Sequence, residues 1–215
     1  MFNTIFPNIH KEGYKFLAIS IIATFLILLF SKFLGAIFIL ITIWVYYFFR
    51  DPERVIINDD NFLVSPADGE VLKVEETAGP KELNLENKKF KKISIFMNVF
   101  DCHVNRTPCR GKIEEILYKP GKFFNASLDK ASEDNERNYY KIKDSQNNDI
   151  VLVQIAGLVA RRIVCEAVKD QDLSQGDRVG MIRFGSRAEI YYENYEPIIK
   201  VGQKTISGET LLAKK

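Results

Sequence analysis

The hydrophobic pattern of the chain changes sharply near Asp51. Residues 16–30 are almost all apolar, and after a short polar interruption a second apolar run covers residues 33–49. About 20 apolar residues are needed to cross the ~30 Å hydrocarbon core of a bilayer, so each run is a thinly matched span. We therefore predict that residues 1–50 form an α-helical membrane anchor with one or two apolar helices.

Basic residues on both sides of the apolar runs suggest an orientation for this anchor. Lys11 and Lys15 precede the runs, and Arg50 and Arg54 follow them. Positive residues favour the cytoplasmic side, so a hairpin with both ends in the cytoplasm fits the pattern. A cleaved signal peptide is the alternative, but it would have one apolar region followed by small residues. We expect a cell-membrane protein whose remaining residues lie on the cytoplasmic side.

After residue 51 the pattern changes to short runs rich in Val, Ile, Phe and Tyr, separated by Gly, Pro and Asp. This spacing is typical of a β sandwich or barrel. The predicted strands cover residues 70–74, 93–97, 112–118, 139–142, 150–155, 163–167, 178–183 and 189–192, with a last strand near Leu211. The polar segment 123–138 is predicted to be a surface loop, where binding functions are often found.

Glycines at turns before β-branched strands, as at Gly69 and Gly111, refine the fold prediction. Such turns are similar to those of biotinyl and lipoyl carrier domains. The expected fold is thus mainly β, with a barrel-sandwich-hybrid domain in residues 51–215 behind the helical anchor.

Charge and cysteine content exclude several classes of protein. Lys and Arg total 30 against 28 for Asp and Glu, so the net charge of +2 gives no field that would gather nucleic acid. Three cysteines, Cys102, Cys109 and Cys165, lack the spacing of a disulfide framework, which indicates a reducing compartment. Cys102, His103 and Cys109 would need a fourth ligand to hold a metal, so no metal site is predicted.

One short run lies about 30 residues from the C-terminus and has an unusual context. The dipeptide Gly185-Ser186 would by itself suggest a turn between strands, but the run Phe184-Gly185-Ser186-Arg187 resembles the self-cleavage site of the short-form phosphatidylserine decarboxylases. The resemblance extends to Pro66-Ala67-Asp68-Gly69, to residues 97–106 including Asp101-Cys102-His103-Val104-Asn105-Arg106, to Phe124-Asn125-Ala126 through Asn135-Glu136-Arg137-Asn138, and to Gln154-Ile155-Ala156-Gly157 through Arg161-Arg162-Ile163.

This resemblance implies a complete chemistry. The Ser186 hydroxyl attacks the Gly185 carbonyl, an approach that a residue without Cβ leaves open. Elimination then separates chain 1–185 from chain 186–215, which stay associated, and a covalent pyruvoyl cofactor forms at the former Ser186. Its ketone acts as the electron sink, as pyridoxal phosphate does elsewhere. The implied reaction is the decarboxylation of phosphatidylserine to phosphatidylethanolamine, with a phospholipid and the membrane as partners.

Proton transfer requires a group that titrates near neutrality, and His is the natural choice. The chain has only His10, which precedes the anchor, and His103. The resemblance further implies an Asp, His and Ser relay for self-cleavage, in which Asp68 matches the Asp by motif. Arg106 stands where long-form relatives have a second His, so it stays open whether His103 serves both steps.

Several alternatives remain at this point. A serine-containing ether phospholipid of the archaeal type would satisfy the same headgroup chemistry.

A non-enzymatic membrane-tethered carrier of biotinyl-like fold would need a modifiable lysine at a hairpin tip, and Asp129-Lys130-Ala131 lies instead in the polar segment. Arg137, Arg161 and Arg162 could bind the lipid phosphate, since guanidinium suits phosphate geometry. The sequence leaves open whether the protein forms homo-oligomers.

Overall fold

The computed structural model describes residues 6–124, 134–157, 162–183 and 185–215. Within it the chain divides into two units, Met1–Glu53 and Arg54–Lys215.

The first unit contains two apolar helices, α1 (Gly13–Phe30) and α2 (Lys32–Phe48), separated by Ser31. The Ser31 side chain caps α2 by accepting a hydrogen bond from the Leu34 amide at 3.3 Å. A 2.8 Å hydrogen bond between the Thr24 and Thr42 hydroxyls joins the helices. By length and composition α1 could cross a membrane, whereas α2 is one residue shorter, at 17 residues. The prediction of apolar N-terminal helices is confirmed.

The second unit is built from short and long β-strands and one 3₁₀ turn at Lys81–Leu83. The strands are β1 (Phe62–Val64), β2 (Gly69–Ala78), β3 (Lys89–Met97), β4 (Val104–Arg106), β5 (Gly111–Lys119), β6 (Arg137–Asp144), β7 (Asp149–Ala156), β8 (Arg162–Cys165), β9 (Asp172–Leu173), β10 (Arg178–Arg183), β11 (Ser186–Tyr192), β12 (Glu196–Pro197), β13 (Lys204–Thr205) and β14 (Leu211–Lys214).

These strands form one large and two small antiparallel sheets. The large sheet has eight strands in the order β13-β2-β3-β11-β7-β6-β5-β9. The small sheets have the orders β1-β14-β12 and β4-β10-β8. The strands β7 and β11 lie in the middle of the large sheet, and every residue of β7 is buried. The prediction of a mainly β domain is confirmed.

The two faces of the large sheet pack against different cores, because successive side chains of a strand point to opposite faces. Along β11, Ala188, Ile190 and Tyr192 belong to the larger core. On the other face Tyr191 packs against a smaller cluster that includes Tyr139. Any functional side chain on β11 is therefore assigned to one face by its position.

All nine predicted strands exist, but some boundaries differ. The strand predicted at residues 189–192 begins at Ser186, because Ser186 pairs with Met97 on β3 and Ala156 on β7. The strand predicted at 163–167 ends at Cys165. Five further strands were not predicted, because they have only two or three residues and show no alternation: β1, β4, β9, β12 and β13.

The predicted surface loop at residues 123–138 is wrong at its C-terminal end. β6 begins at Arg137, and Asn135 and Glu136 are buried. The Asn135 side chain donates to the carbonyls of Phe124 at 2.8 Å and Ala156 at 2.6 Å, which explains its burial. Residues 125–133 of this segment lie outside the described part of the chain.

Candidate active site

The motif segments converge at one end of the large sheet. Ser186 is the first residue of β11, and its strand partners are Met97 and Ala156, the last residues of β3 and β7. Gly69 begins β2 and Arg137 begins β6. Neighbouring strands are antiparallel, so the ends of β3 and β7 lie beside the starts of β2, β6 and β11.

Ser186 is fully buried and follows a glycine with an unusual backbone conformation. Its Oγ lies 3.9 Å from Met97 Sδ, and a thioether is a weak hydrogen-bond acceptor. Gly185 has a φ of +53°, in the left-handed region that L-residues rarely adopt. A Cβ at Gly185 would meet no atom within 4 Å, so backbone conformation rather than space accounts for glycine here. Phe184 lies outside the described residues.

His103 is held next to the strand that leads to this glycine. It directly precedes β4, which pairs with β10, and its carbonyl accepts a 3.3 Å hydrogen bond from the Ile182 amide. The imidazole is buried, and Nδ1 lies 3.0 Å from the carbonyl oxygen of Asp101. A carbonyl can only accept, so Nδ1 carries the proton and Nε2 is the basic nitrogen of the neutral ring.

Asp68 lies in the turn before β2, and its carboxylate contacts an arginine. One guanidinium nitrogen of Arg54 donates to both Asp68 oxygens, at 2.9 and 2.8 Å, and the Ser207 amide donates to Oδ1 at 2.8 Å. Burial alone would lower the pKa of Arg54, but the Asp68 charge outweighs this and raises it. The turn is tied to β4 because the Arg106 amide donates to the Pro66 carbonyl at 3.0 Å.

The Arg106 side chain, which stands where long-form relatives have a second His, is also accounted for. It is buried, and Nη1 donates to the Gly176 carbonyl at 2.9 Å. A Cβ added at Gly208 would lie 3.3 Å from its Cδ, so the arginine also packs close to the turn that contains this glycine. Arg106 therefore helps to hold two turns together, a role that differs from proton transfer.

A chain of buried amides, which was not predicted from the sequence, reaches the Ser186 site. Gln154 Nε2 donates to Asn105 Oδ1 at 2.9 Å, and Tyr140 Oη donates to Gln154 Oε1 at 2.7 Å. Asn105 Nδ2 in turn faces Met97 Sδ at 3.6 Å and the Pro66 carbonyl at 3.3 Å. One sequence feature could have revealed this chain: Gln154 lies within the otherwise apolar residues 150–156. A buried amide at such a position needs a hydrogen-bond partner.

A second group of charged residues lies on the opposite face of the sheet. Arg187 and Glu189 are both 2 % exposed and form a 3.3 Å ion pair. Arg137 is buried, shares the strand partner Ile155 with Arg187, and lies 3.7 Å from Glu82.

This arrangement bears on the predicted phosphate ligands. Cross-strand partners share a face, so Arg137 and Arg187 project away from the Ser186 side chain. Arg162 is exposed on β8, and Arg161 lies outside the described residues.

The structure thus brings the segments of all four predicted catalytic residues to one end of the sheet, but the expected contact between the Asp68 carboxylate and an imidazole is replaced by others. Gly185, Ser186 and the His103 segment meet through β10 and β11, and the Asp68 turn joins them through β4. The contacts of the Asp68 carboxylate are with Arg54 and Ser207 rather than with an imidazole.

Comparison with known proteins gives a consistent result. Residues 41–213 match the family model described as phosphatidylserine decarboxylase. The chain is 73 % identical to the "Phosphatidylserine decarboxylase proenzyme" of Pelagibacter ubique, and the match covers 100 % of both chains. Proteins of the same name are 49 % identical in Cereibacter sphaeroides and 50 % identical in Ruegeria pomeroyi. These two matches cover 99 % of this chain and 92 % and 98 % of the relatives. The chain belongs to the phosphatidylserine decarboxylase family.

Proposed function

We propose that this protein is a proenzyme that cleaves itself at Gly185-Ser186 and then decarboxylates phosphatidylserine to phosphatidylethanolamine. The observation that carries the proposal is the buried Ser186 hydroxyl directly after a left-handed glycine, at the sheet end where the other motifs meet. Full-length similarity to a protein named as such a proenzyme supports the same conclusion.

Self-cleavage would begin with attack of Ser186 Oγ on the Gly185 carbonyl carbon. Gly185 has a left-handed φ, so the backbone turns sharply just before Ser186. An attack of the Ser186 hydroxyl on the preceding carbonyl requires such a departure from extended backbone. The Ser186 hydroxyl is fully buried, which shields the attacking oxygen from bulk water, whereas Gly185 is half-buried. Elimination would then leave chains 1–185 and 186–215.

The two chains would stay associated because the smaller one supplies the middle of the sheet. β11 is hydrogen-bonded along its whole length to β3 on one side and to β7 on the other. β14 pairs with β1 and β12 in a small sheet. Separating the chains would expose the core residues Ala188 and Ile190, remove one strand partner from each of β3 and β7, and leave β1 without its partner β14.

The residues around position 186 fit a covalent pyruvoyl group. A pyruvoyl ketone supplies an electron sink for a serine headgroup whose amine condenses with it. Ser186 is enclosed by β3 and β7, which would hold such a group in a fixed orientation. We assign the proton transfers to His103 Nε2, the basic nitrogen when Nδ1 donates to Asp101.

We further propose that α1 and α2 attach the enzyme to the cytoplasmic side of the cell membrane. α1 has a mean hydropathy of 2.1, and most of its side chains are exposed to the surroundings. An anchor would keep the enzyme at the surface that contains its lipid. The likeness of the second unit to barrel-sandwich hybrids of the biotinyl and lipoyl type is part of the same proposal.

Intact mass spectrometry of the purified protein tests the proposal. We expect two chains, with the smaller beginning at position 186, lacking a free amino terminus and having the mass of a pyruvoyl-ended 186–215 fragment. Ser186→Ala should remain one chain and release no carbon dioxide from phosphatidylserine. Ser94→Ala is the control, because Ser94 is also fully buried but bonds to Glu189 on the opposite face.

A single uncleaved wild-type chain, or a processed chain with an ordinary serine at its terminus, would contradict the proposal. A parallel assay with an ether-linked serine phospholipid examines the lipid tails. Preference for the ether lipid would change the assigned substrate and leave the cleavage chemistry intact.

A further inference from the structure

Asn105 connects three of the motif segments through its side chain. Its Oδ1 accepts from Gln154 Nε2 on β7 at 2.9 Å, and its Nδ2 lies 3.3 Å from the Pro66 carbonyl in the turn that contains Asp68. The same Nδ2 lies 3.6 Å from Met97 Sδ, the sulfur that Ser186 Oγ contacts at 3.9 Å. The amide is fully buried.

The hydrogen bonds fix the direction in which this amide points. The Pro66 carbonyl can only accept, so the NH₂ group of Asn105 must face it and Met97. Gln154 Oε1 accepts from Tyr140 Oη at 2.7 Å, which leaves its NH₂ group for Asn105. Burial raises the pKa of Tyr140 well above its usual value, so its hydroxyl stays a donor. The Tyr140 hydroxyl also lies 3.0 Å from the Val179 carbonyl, and its single proton is assigned to Gln154 Oε1, the nearer acceptor.

We propose that Asn105 and Gln154 are positioning residues for self-cleavage, acting on the Ser186 hydroxyl through the Met97 thioether; this rests on the proposed function. The amide pair fixes Met97, and Met97 fixes the place of Oγ without binding it tightly. Ser186 Oγ is the donor in this contact, so both of its lone pairs stay available for attack on the Gly185 carbonyl carbon.

The step that depends on this placement is the acyl shift. A bond forms between Ser186 Oγ and the Gly185 carbonyl carbon, the peptide bond between Gly185 carbon and Ser186 nitrogen breaks, and the hydroxyl proton moves to that nitrogen. The products are an ester and a free amine, so atoms and charge balance. A misplacement of ~1 Å can slow such an intramolecular reaction by about 100-fold.

Gln154→Met tests the proposal, because methionine keeps the volume and removes the donor to Asn105. We expect spontaneous cleavage of the folded protein to slow by at least about tenfold. Asn105→Asp is the second variant: it keeps the acceptor for Gln154 and loses the donors toward Met97 and Pro66. If Gln154→Met does not fold, the cleavage rate of Asn105→Asp tests the same proposal.

Gln175→Met is the matched control for the loss of a buried amide. Gln175 is 4 % exposed, accepts from the Asp59 amide at 2.9 Å and donates to the Phe62 carbonyl at 2.7 Å. Its partners lie outside the motif segments. We expect this variant to lose stability as Gln154→Met does, and to cleave within about threefold of the wild-type rate.

Hydroxylamine gives a readout that a merely structural role would not change. It cleaves an ester at Gly185 and so reports whether the acyl shift has occurred. Gln154→Met should stay largely resistant, because the ester itself forms slowly.

Three outcomes would overturn the proposal: cleavage of Gln154→Met within threefold of the wild type, equal slowing in Gln175→Met, or full rescue of Gln154→Met by hydroxylamine. An uncleaved wild type would instead refute the proposed function, so the two failures are distinguishable.

Discussion

Arg54 and Asp68 form an ion pair in which one guanidinium nitrogen donates to both carboxylate oxygens, at 2.9 and 2.8 Å. The motif resemblance suggests that this carboxylate orients a histidine, yet its side-chain partner is an arginine. The side chains are 12 and 13 % exposed, so little solvent screens the pair. Arg54 therefore holds Asp68 in place at the sheet end where Ser186 lies.

The pair gives a first prediction about self-cleavage. Arg54→Met should free the carboxylate from its ion pair and lower the stability by about 1.5–3 kcal/mol, the usual contribution of a hydrogen bond to a charged group. If Asp68 acts directly in cleavage, Asp68→Asn should slow cleavage far more than Arg54→Met does. Time-resolved gel analysis of freshly synthesised chain measures both rates. Equal rates in the two variants would mean that the ion pair, and not the carboxylate alone, matters.

Replacement of Gly185 should slow cleavage through backbone conformation. Gly185→Ala places a Cβ on a residue with φ of +53°, which costs about 1 kcal/mol or more although the space is open. Gly185→Asn should be affected less, since Asn tolerates this region. Cleavage rates of the two variants check the order.

Gly202→Ala is the control for backbone strain. Gly202 also has a positive φ, of +86°, and a Cβ added there would likewise meet no atom within 4 Å. It lies in the turn before β13, so we expect a similar stability loss with wild-type cleavage. A Gly185→Ala chain that cleaves as fast as Gly202→Ala would contradict the role given to the glycine conformation.

His103→Gln should reduce decarboxylation per processed molecule by about 100-fold or more, the usual contribution of a positioned acid or base. Carbon dioxide release from phosphatidylserine in detergent measures this effect. His10→Gln is the control, because His10 is the other histidine and belongs to the first unit. A His103→Gln enzyme with activity within threefold of the wild type would remove His103 from the mechanism.

Asp149 should make the second unit sensitive to acid. Its carboxylate is 1 % exposed and is bonded by Lys88 at 2.5 Å and Lys143 at 2.8 Å. Burial alone would raise the pKa of Asp149, but the hydrogen bonds from Lys143 and Lys88 and the charge of Lys141 lower it below its usual value. The pKa in the unfolded chain is about 3.9. The stabilisation is therefore fully present above that pH and is lost as the pH falls through the lower folded pKa.

Asp149→Asn should accordingly lower the free energy of unfolding at pH 7 by about 1–3 kcal/mol. The difference from the parent should shrink as the pH falls below about 4. Urea unfolding in the Ser186→Ala background measures this without the complication of cleavage. Asp172→Asn, at an exposed position of β9, should show little difference at either pH. If the Asp149→Asn variant lost the same free energy of unfolding at every pH in this range, the charge of Asp149 would not be the cause of the loss.

Several features could be predicted from particular residues. The apolar runs on either side of Ser31 predict α1 and α2 because composition alone decides whether a segment avoids water. The alternating runs predict the long strands because one face of each strand must be buried. The motif around Gly185 and Ser186 predicts the cleavage site, because the proposed attack joins two adjacent residues.

Other features depend on strand pairing, which the sequence does not display. The start of β11 at Ser186 follows from its partners Met97 and Ala156, which are 89 and 30 positions away along the chain. The strand β4 has three residues and is defined by its pairing with β10. Short strands gain their hydrogen bonds from neighbours rather than from their own periodicity.

The sequence by itself determined the apolar helices, the mainly β character of the remaining chain and the family to which the motifs belong, because these depend on nearest neighbours and on residue type. Only the tertiary structure decided that Asp68 pairs with Arg54, that Arg137 faces away from Ser186, and that Asn105 joins three motifs. Those contacts link residues distant along the chain, and their energies arise only when burial removes water and leaves each polar group to find a partner in the fold.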